Sequence, residues 1–245
     1  MIPLSSITSS ATKRVFRVVE SQESVATMRL VDTLEEHALL EDIIENAKPV
    51  LPPHADQAHR HYLLKTPFRY PPLKYGSRFG RRFEPSLFYA SHQLRSALLE
   101  SAFYSFYFMS RSDTPFLGSI NNKKTSFSAM VSTQRYANLC LLEDDETQAA
   151  LQNKSDYSYT QRIGQFLRNE NIDAFSYYSA RESNAKHIAV FYLNAIKGEP
   201  ENELHWEVKQ TPERIIFYCS ANTKLNTQFE LQQFTVDGKL PRPSE

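Results

Sequence analysis

A carboxylate set into an apolar helix is the most chemically demanding feature of this chain. Residues 93–109 read as a strongly apolar helix, and Glu100 falls midway along it, on one face with Ala97, Tyr104 and Tyr107. A charge on such a face costs stability unless it is paired or opens onto a cleft. Two readings follow. One is a structural ion pair, with Arg78 in the Gly76-Ser77-Arg78-Phe79-Gly80 turn as the partner; the other is a carboxylate kept for catalysis. Tyr89, at the end of a compact strand over residues 86–91 (SLFYAS), and Ser179, at the strand-to-loop junction of Tyr177-Tyr178-Ser179-Ala180, are placed to reach a ligand. Ser179 reads equally well as an ordinary turn hydroxyl. Arg78, Arg81 and Arg82 form a local basic cluster, either a solvated face or a phosphate contact.

Other chemistries are poorly served. His54, His59 and His61 lie in a Pro-bearing loop with no matching Cys or carboxylate set, so solvated histidines are favoured over a zinc site and no metal is expected. There is no GxSxG elbow, no glycine fingerprint between a strand and a helix, and no phosphate loop ending in Gly-Lys-Ser/Thr. Cys140 and Cys219 fall in apolar stretches that read as strands and are expected to be buried thiols.

The elements that must position these residues are mixed. Residues 14–20 (RVFRVVE) alternate as a strand, and residues from Ser21 onward turn helical. Asp32 with Glu35 suggests a capping box opening a helix over residues 34–47. Residues 62–80, rich in proline and aromatics without a single period, predict an extended segment wrapping a surface. Strands are predicted at residues 126–132 and 136–142, joined by a short turn, and a mainly helical stretch at 146–170 is broken near 154–157. Further strands follow at 174–179, 187–193, 204–210, 214–220 and 228–236. Helices early and a β-meander late predict an α+β fold with a largely antiparallel sheet core and packed helices. The expected organisation is an N-terminal strand and helical extension over residues 1–60, packed on a main domain over 61–245.

The bulk numbers bound the function. At 245 residues with 41% hydrophobic and 23% charged residues the chain is globular, and 13 Tyr with 16 Phe against one Trp must supply much of its core. Lys plus Arg equal Asp plus Glu at 28 each, without the basic surplus of a nucleic-acid binder. No apolar run approaches the ~18–20 residues of a membrane span, and residues 1–10 lack a signal-peptide pattern, so a cytoplasmic protein is expected.

The ordered series Arg78, Tyr89, Glu100 (eleven residues after that tyrosine) and Ser179 resembles the RES-domain family, named for an Arg, a Glu and a Ser. The likeness runs from about residue 62 to residue 193. It implies an ADP-ribosyltransferase-like fold and the activity of a toxin that breaks down NAD, held by an Xre-type helix-turn-helix antitoxin that carries the DNA-binding duty. NAD is then a substrate and no cofactor is needed. The implied roles are Glu100 and Arg78 in catalysis, with Tyr89, Ser179, Arg69 and His187 binding substrate. His187 stands where the family often has Asn, and the additional phosphate-binding arginine is either Arg17 or Arg69, with Arg69 preferred for its proximity to the turn. Transfer of ADP-ribose to a macromolecule and a non-enzymatic binding module are the competing functions. Oligomeric state stays open.

Overall fold

The computed structural model of the chain describes residues 2–21, 27, 30–53, 55, 59–70, 74–112 and 118–242. His54 and the onset of the helix expected just after Ser21 lie outside the described residues.

A short helix α1 (Leu4–Ile7) leads into β1 (Thr8–Glu20), followed by α2 (Leu34–Ala47), α3 (Tyr62–Arg69), β2 (Phe88–Ser91) and α4 (Leu94–Ser110). The second half runs β3 (Ile120–Asn138), α5 (Asp145–Leu151), α6 (Ser158–Asn169), β4 (Ala174–Tyr178), β5 (Lys186–Val190), β6 (Ile196–Gln210), β7 (Arg214–Tyr218) and β8 (Thr227–Glu230). One eight-stranded sheet takes the order β1-β2-β5-β4-β3-β6-β7-β8, and β1 also pairs with β3, so the first five strands close into a ring. Every pairing is antiparallel except β3 with β4. The fold is the expected α+β arrangement.

Among the described residues three apolar clusters hold it. Val15, Phe88, Phe127, Ile188 and Val190 fill the ring with Leu63, Leu64 and Phe68 of α3. Phe79, Leu139, Ile163, Leu167, Phe175 and Phe191 pack the opposite face against α6. Leu98, Leu99, Ala102, Phe103 and Phe106 of α4 meet Trp206, Phe217 and Phe229. Burying a Phe- or Leu-sized side chain is worth about 1.5–3 kcal/mol, so these clusters are what fix α4 and α6 on the sheet.

Several local expectations give way to tertiary context. Residues 62–69 are helical rather than extended: Leu63, Leu64 and Phe68 share a buried face, and Pro67 near the C-terminal end forfeits only the bond to the Leu63 carbonyl. The expected strands at 126–132 and 136–142 are one continuous β3 ending at Asn138. Twelve register pairs with β1 carry it through the polar Thr133-Gln134-Arg135, where Asp173 takes the Thr133 hydroxyl (2.5 Å) and the Arg135 guanidinium (2.6 Å). The capping box exists one residue later than expected. Thr33 Oγ1 accepts from the Glu36 amide at 3.1 Å and the Glu36 carboxylate accepts from the Thr33 amide at 3.2 Å. Cys140 lies in a 3-10 turn over Leu139–Leu141 rather than in a strand, and Cys219 follows β7; both are free thiols, and burial pushes Cys140 up to about 11. The strand expected at 228–236 ends at Glu230 and gives way to a 3-10 turn over Leu231–Phe234.

One titration is built into the sheet. His92, between β2 and α4, shares a 2.7 Å hydrogen bond with Ser176 Oγ, and burial, reinforced by Lys13, His187 and Lys186, pushes it down to about 4. Between pH 6.5 and about 4 the unfolded chain therefore binds more protons than the folded one, so this contribution is whole above pH 6.5 and is lost as pH falls toward 4. Thermal melts from pH 7 to pH 4 are expected to shift downward through that window, and His92→Gln should flatten the dependence. An unchanged pH profile in the variant would contradict the assignment.

Candidate functional site

The site is assembled around the turn at Gly76–Gly80. Gly76 has φ of +82°, and a Cβ there would stand 2.4 Å from the Gly80 carbonyl oxygen, which itself accepts from the Ser77 amide at 2.7 Å. On α6, Gly164 lets the turn lie directly against the helix, since a Cβ would come within 1.9 Å of the Phe79 carbonyl oxygen. Thr160 Oγ1 donates to the Arg78 carbonyl, and Gln161 Nε2 donates to the carbonyls of Tyr75 and Ser77. From the sheet side, the Tyr89 hydroxyl meets Ser77 Oγ at 2.9 Å and accepts from the Phe79 amide at 3.0 Å. Burial pushes Tyr89 up to about 12, so it remains a neutral phenol. Tyr89 thus pins the turn that carries Arg78, besides lining the space in front of it.

That space is a cavity of about 410 Å³ between α4, β1, β2 and the turn. Along α4 it is lined by Ala97, Glu100, Ser101, Tyr104, Ser105 and Phe108, a single helical stripe, while the opposite stripe from Leu98 to Phe106 packs on the core. At a rise of 1.5 Å per residue the lining stripe runs about 16 Å. Tyr107, which the sequence grouped with Glu100, turns away and packs beside Phe103.

Arg78, Tyr89, Glu100 and His187 all line this cavity, as do Arg17, Lys124, Tyr157 and Tyr177. The Arg78 guanidinium donates to the Leu151 carbonyl at 2.5 Å and lies over the rings of Tyr157 (5.3 Å) and Tyr177 (5.9 Å). Arg17 donates to the Tyr89 carbonyl at 2.5 Å and lies over Phe88, and burial lowers it to about 10, leaving it charged at neutral pH. The Nε atoms of both arginines are buried without a hydrogen-bond partner among the described residues, as are those of Arg60, Arg168 and Arg181 outside the cavity lining. Among the described residues Glu100 forms no ion pair or hydrogen bond, so the Arg78–Glu100 structural pair is not how this carboxylate is held. Lys124 sits at the cavity wall with its ammonium 2.7 Å from Glu20.

His187 is buried yet faces the cavity, with its ring 3.2–3.3 Å from Ser91 Oγ and beside Tyr177. Burial lowers its pKa, with Glu100 partly opposing, so it stays neutral. A neutral imidazole offers one donor and one acceptor, as an amide does. His187→Asn is accordingly expected to preserve ligand capture at this cavity; loss of capture with an unshifted melt would show that the imidazole itself is required.

The remaining two assignments fall elsewhere. Arg69 is not at the cavity: α3 turns it toward Glu45 of α2, 3.0 Å away, whereas Arg17 is among the lining residues. Ser179 is buried and outside the cavity lining, and its Oγ accepts from the amides of Arg181 (3.0 Å) and Glu182 (3.2 Å), which makes it a turn hydroxyl. Neither Arg81 nor Arg82 lines the cavity. Sequence reasoning also passed over Tyr157, which lies in the predicted helix break, and Lys124. An arginine set between apolar neighbours, Phe16 and Val18, was the available signal for Arg17.

Among the described residues no group of three His, Cys, Asp or Glu is placed to hold a metal, and no helix is long and apolar enough to cross a membrane. The family model of the RES domain matches residues 51–209. The chain belongs to the RES-domain family. No curated protein matches it. Among solved structures it is similar to a chain of the Mycobacterium tuberculosis MbcT–MbcA toxin–antitoxin complex, at 11% identity and a TM-score of 0.45, over 85% of this chain and 89% of that one.

Proposed function

We propose that this protein degrades NAD by severing the bond between ribose C1′ and the nicotinamide nitrogen, acting in the cytoplasm as the toxin of a toxin–antitoxin pair. The observation that carries this reading is the cavity itself. A carboxylate with no hydrogen-bond or ion-pair partner among the described residues lines one cavity with two arginines. The arginines suit a diphosphate, which takes forked, charge-assisted hydrogen bonds. Tyr89, Tyr157 and Tyr177 supply aromatic walls for the cationic nicotinamide ring. As the C1′–N bond stretches, positive charge develops on the ribose, and Glu100 is suited to stabilise it from the helix side. Nicotinamide leaves neutral, carrying the bond's electron pair, and an oxygen of water or phosphate takes its place on C1′, with a proton released when water is the acceptor.

An unrestrained enzyme of this kind would exhaust its own cell. An Xre-type antitoxin with a helix-turn-helix would block the cavity and carry the DNA-binding role, for which this chain's balanced charge gives no provision.

The test is incubation of purified, antitoxin-free protein with NAD, with and without phosphate, followed by mass spectrometry. Nicotinamide with ADP-ribose or its phosphate is expected, and expression of the chain alone should slow growth and deplete cellular NAD. Label from NAD retained on a macromolecule would replace this reading with ADP-ribosyl transfer. An intact NAD pool would leave a binding module.

A further inference from the structure

Arg181 lies outside the cavity lining, yet it holds the platform on which Arg78 rests. That platform is the linker between α5 and α6. The Arg78 guanidinium donates to the carbonyl of Leu151 at one end of it and lies over the ring of Tyr157 at the other. The same linker is gripped from behind. Arg181 Nη1 donates to the Lys154 carbonyl at 2.9 Å, and its Nη2 donates to the Tyr157 hydroxyl at 3.1 Å. Its guanidinium carbon stands 3.9 Å from the ring centre of Phe103, three residues beyond Glu100 on α4. One planar group therefore ties the linker to the helix that carries the carboxylate, a task for which a fork that stacks is required.

The backbone of Arg181 is fixed in turn by Ser179, whose Oγ accepts from its amide, while Glu182 anchors the same turn through Arg95 at 2.5 Å. Tyr157 is only 5% exposed, so its ring has no freedom to follow a displaced linker without disturbing the cavity wall.

We infer that Arg181 is a positioning residue for Arg78. It sets the height and tilt of the Tyr157 ring and the Leu151 carbonyl beneath the Arg78 guanidinium, and thereby the direction in which Arg78 offers its remaining donors to a diphosphate. Ser179 serves the site through this route, by orienting Arg181. The catalytic consequence rests on the NAD reading above; the positioning itself does not.

Two variants test it, Arg181→Lys, which keeps the charge but loses the stacked fork, and Tyr157→Phe, which keeps the ring and removes a single oxygen. The first readout needs no substrate. The Arg78 Nε–H proton, buried in the wild type, should give a protected side-chain resonance in a 15N-edited spectrum, assigned by its absence in Arg78→Lys. Both variants should shift or broaden that resonance at a nearly unchanged melting temperature. The second readout is kinetic: KM for NAD should rise on the order of tenfold with kcat much less affected, and adding Arg181→Lys to Arg78→Ala should cost nothing further. An Arg78 resonance that is unmoved in both variants, or a loss of activity that only tracks the folded fraction, overturns the inference. If Arg181→Lys fails to fold, Tyr157→Phe decides alone. A displaced resonance in a protein whose wild type leaves NAD intact would uphold the positioning role while removing the NAD reading.

Discussion

Glu100→Gln is expected to abolish most NAD turnover while leaving the fold intact. The substitution keeps the side chain's shape and most of its hydrogen-bonding capacity and removes only the charge. If that charge stabilises an oxocarbenium-like state, its loss is worth about 3 kcal/mol, which slows the reaction on the order of a hundredfold or more. The loss should fall on kcat, with KM comparatively spared, because the positive charge exists chiefly in the transition state. Stability points the same way. Breaking a buried ion pair costs about 3–5 kcal/mol, but Arg78 gives its hydrogen bond to the Leu151 carbonyl, and Glu100 has no ion-pair partner among the described residues to abandon. A melting temperature equal to or slightly above that of the wild type is expected. Thermal melting and turnover measured on one purified preparation decide the matter. A cold-shifted melt, with residual activity proportional to folded protein, would return Glu100 to a structural role.

How far the sequence foretold this site depends on whether a residue's task is written into its own segment. Glu100 stood out because a carboxylate on an apolar stripe is anomalous wherever the helix packs. The stripe from Ala97 to Phe108 then lines the cavity much as helical spacing implies. Tyr89 was found, but with a second task hidden: its hydroxyl closes the Gly76–Gly80 turn, a contact made across elements that no local pattern encodes. Arg69 was preferred for nearness in sequence to that turn, and the helical winding of residues 62–69 sends it to Glu45 instead. Arg17 is sixty-one positions before Arg78 in the chain and meets the same cavity only because β1 pairs with both β2 and β3. Arg181 and Tyr157 were illegible for the same reason, since each acts through a partner that the fold alone brings near. The long β3 shows the converse. Its polar triplet suggested a turn, and pairing with β1 over its whole length overrode that preference.

Replacing Arg78 is the second large effect, and the contacts of its guanidinium sharpen what should be lost. Arg78→Ala removes one charge-assisted hydrogen bond to the Leu151 carbonyl and two ring contacts, so a stability loss of about 1–2 kcal/mol is expected, visible as a modestly lower melt. Substrate capture should suffer more. A hydrogen bond between an ionised donor and a phosphate is worth about 1.5–3 kcal/mol, and a guanidinium makes two in parallel, so KM for NAD should rise on the order of a hundredfold. Arg78→Lys separates charge from geometry. Its ammonium is a point charge that cannot at once donate to Leu151, lie flat over Tyr157 and fork onto a diphosphate, so recovery should be partial, within about tenfold of the alanine variant. If lysine at position 78 restores wild-type KM and kcat, the forked contact is wrong and Arg78 contributes only long-range attraction. If the alanine variant loses kcat and leaves KM untouched, the arginine acts on the transition state instead of on the diphosphate.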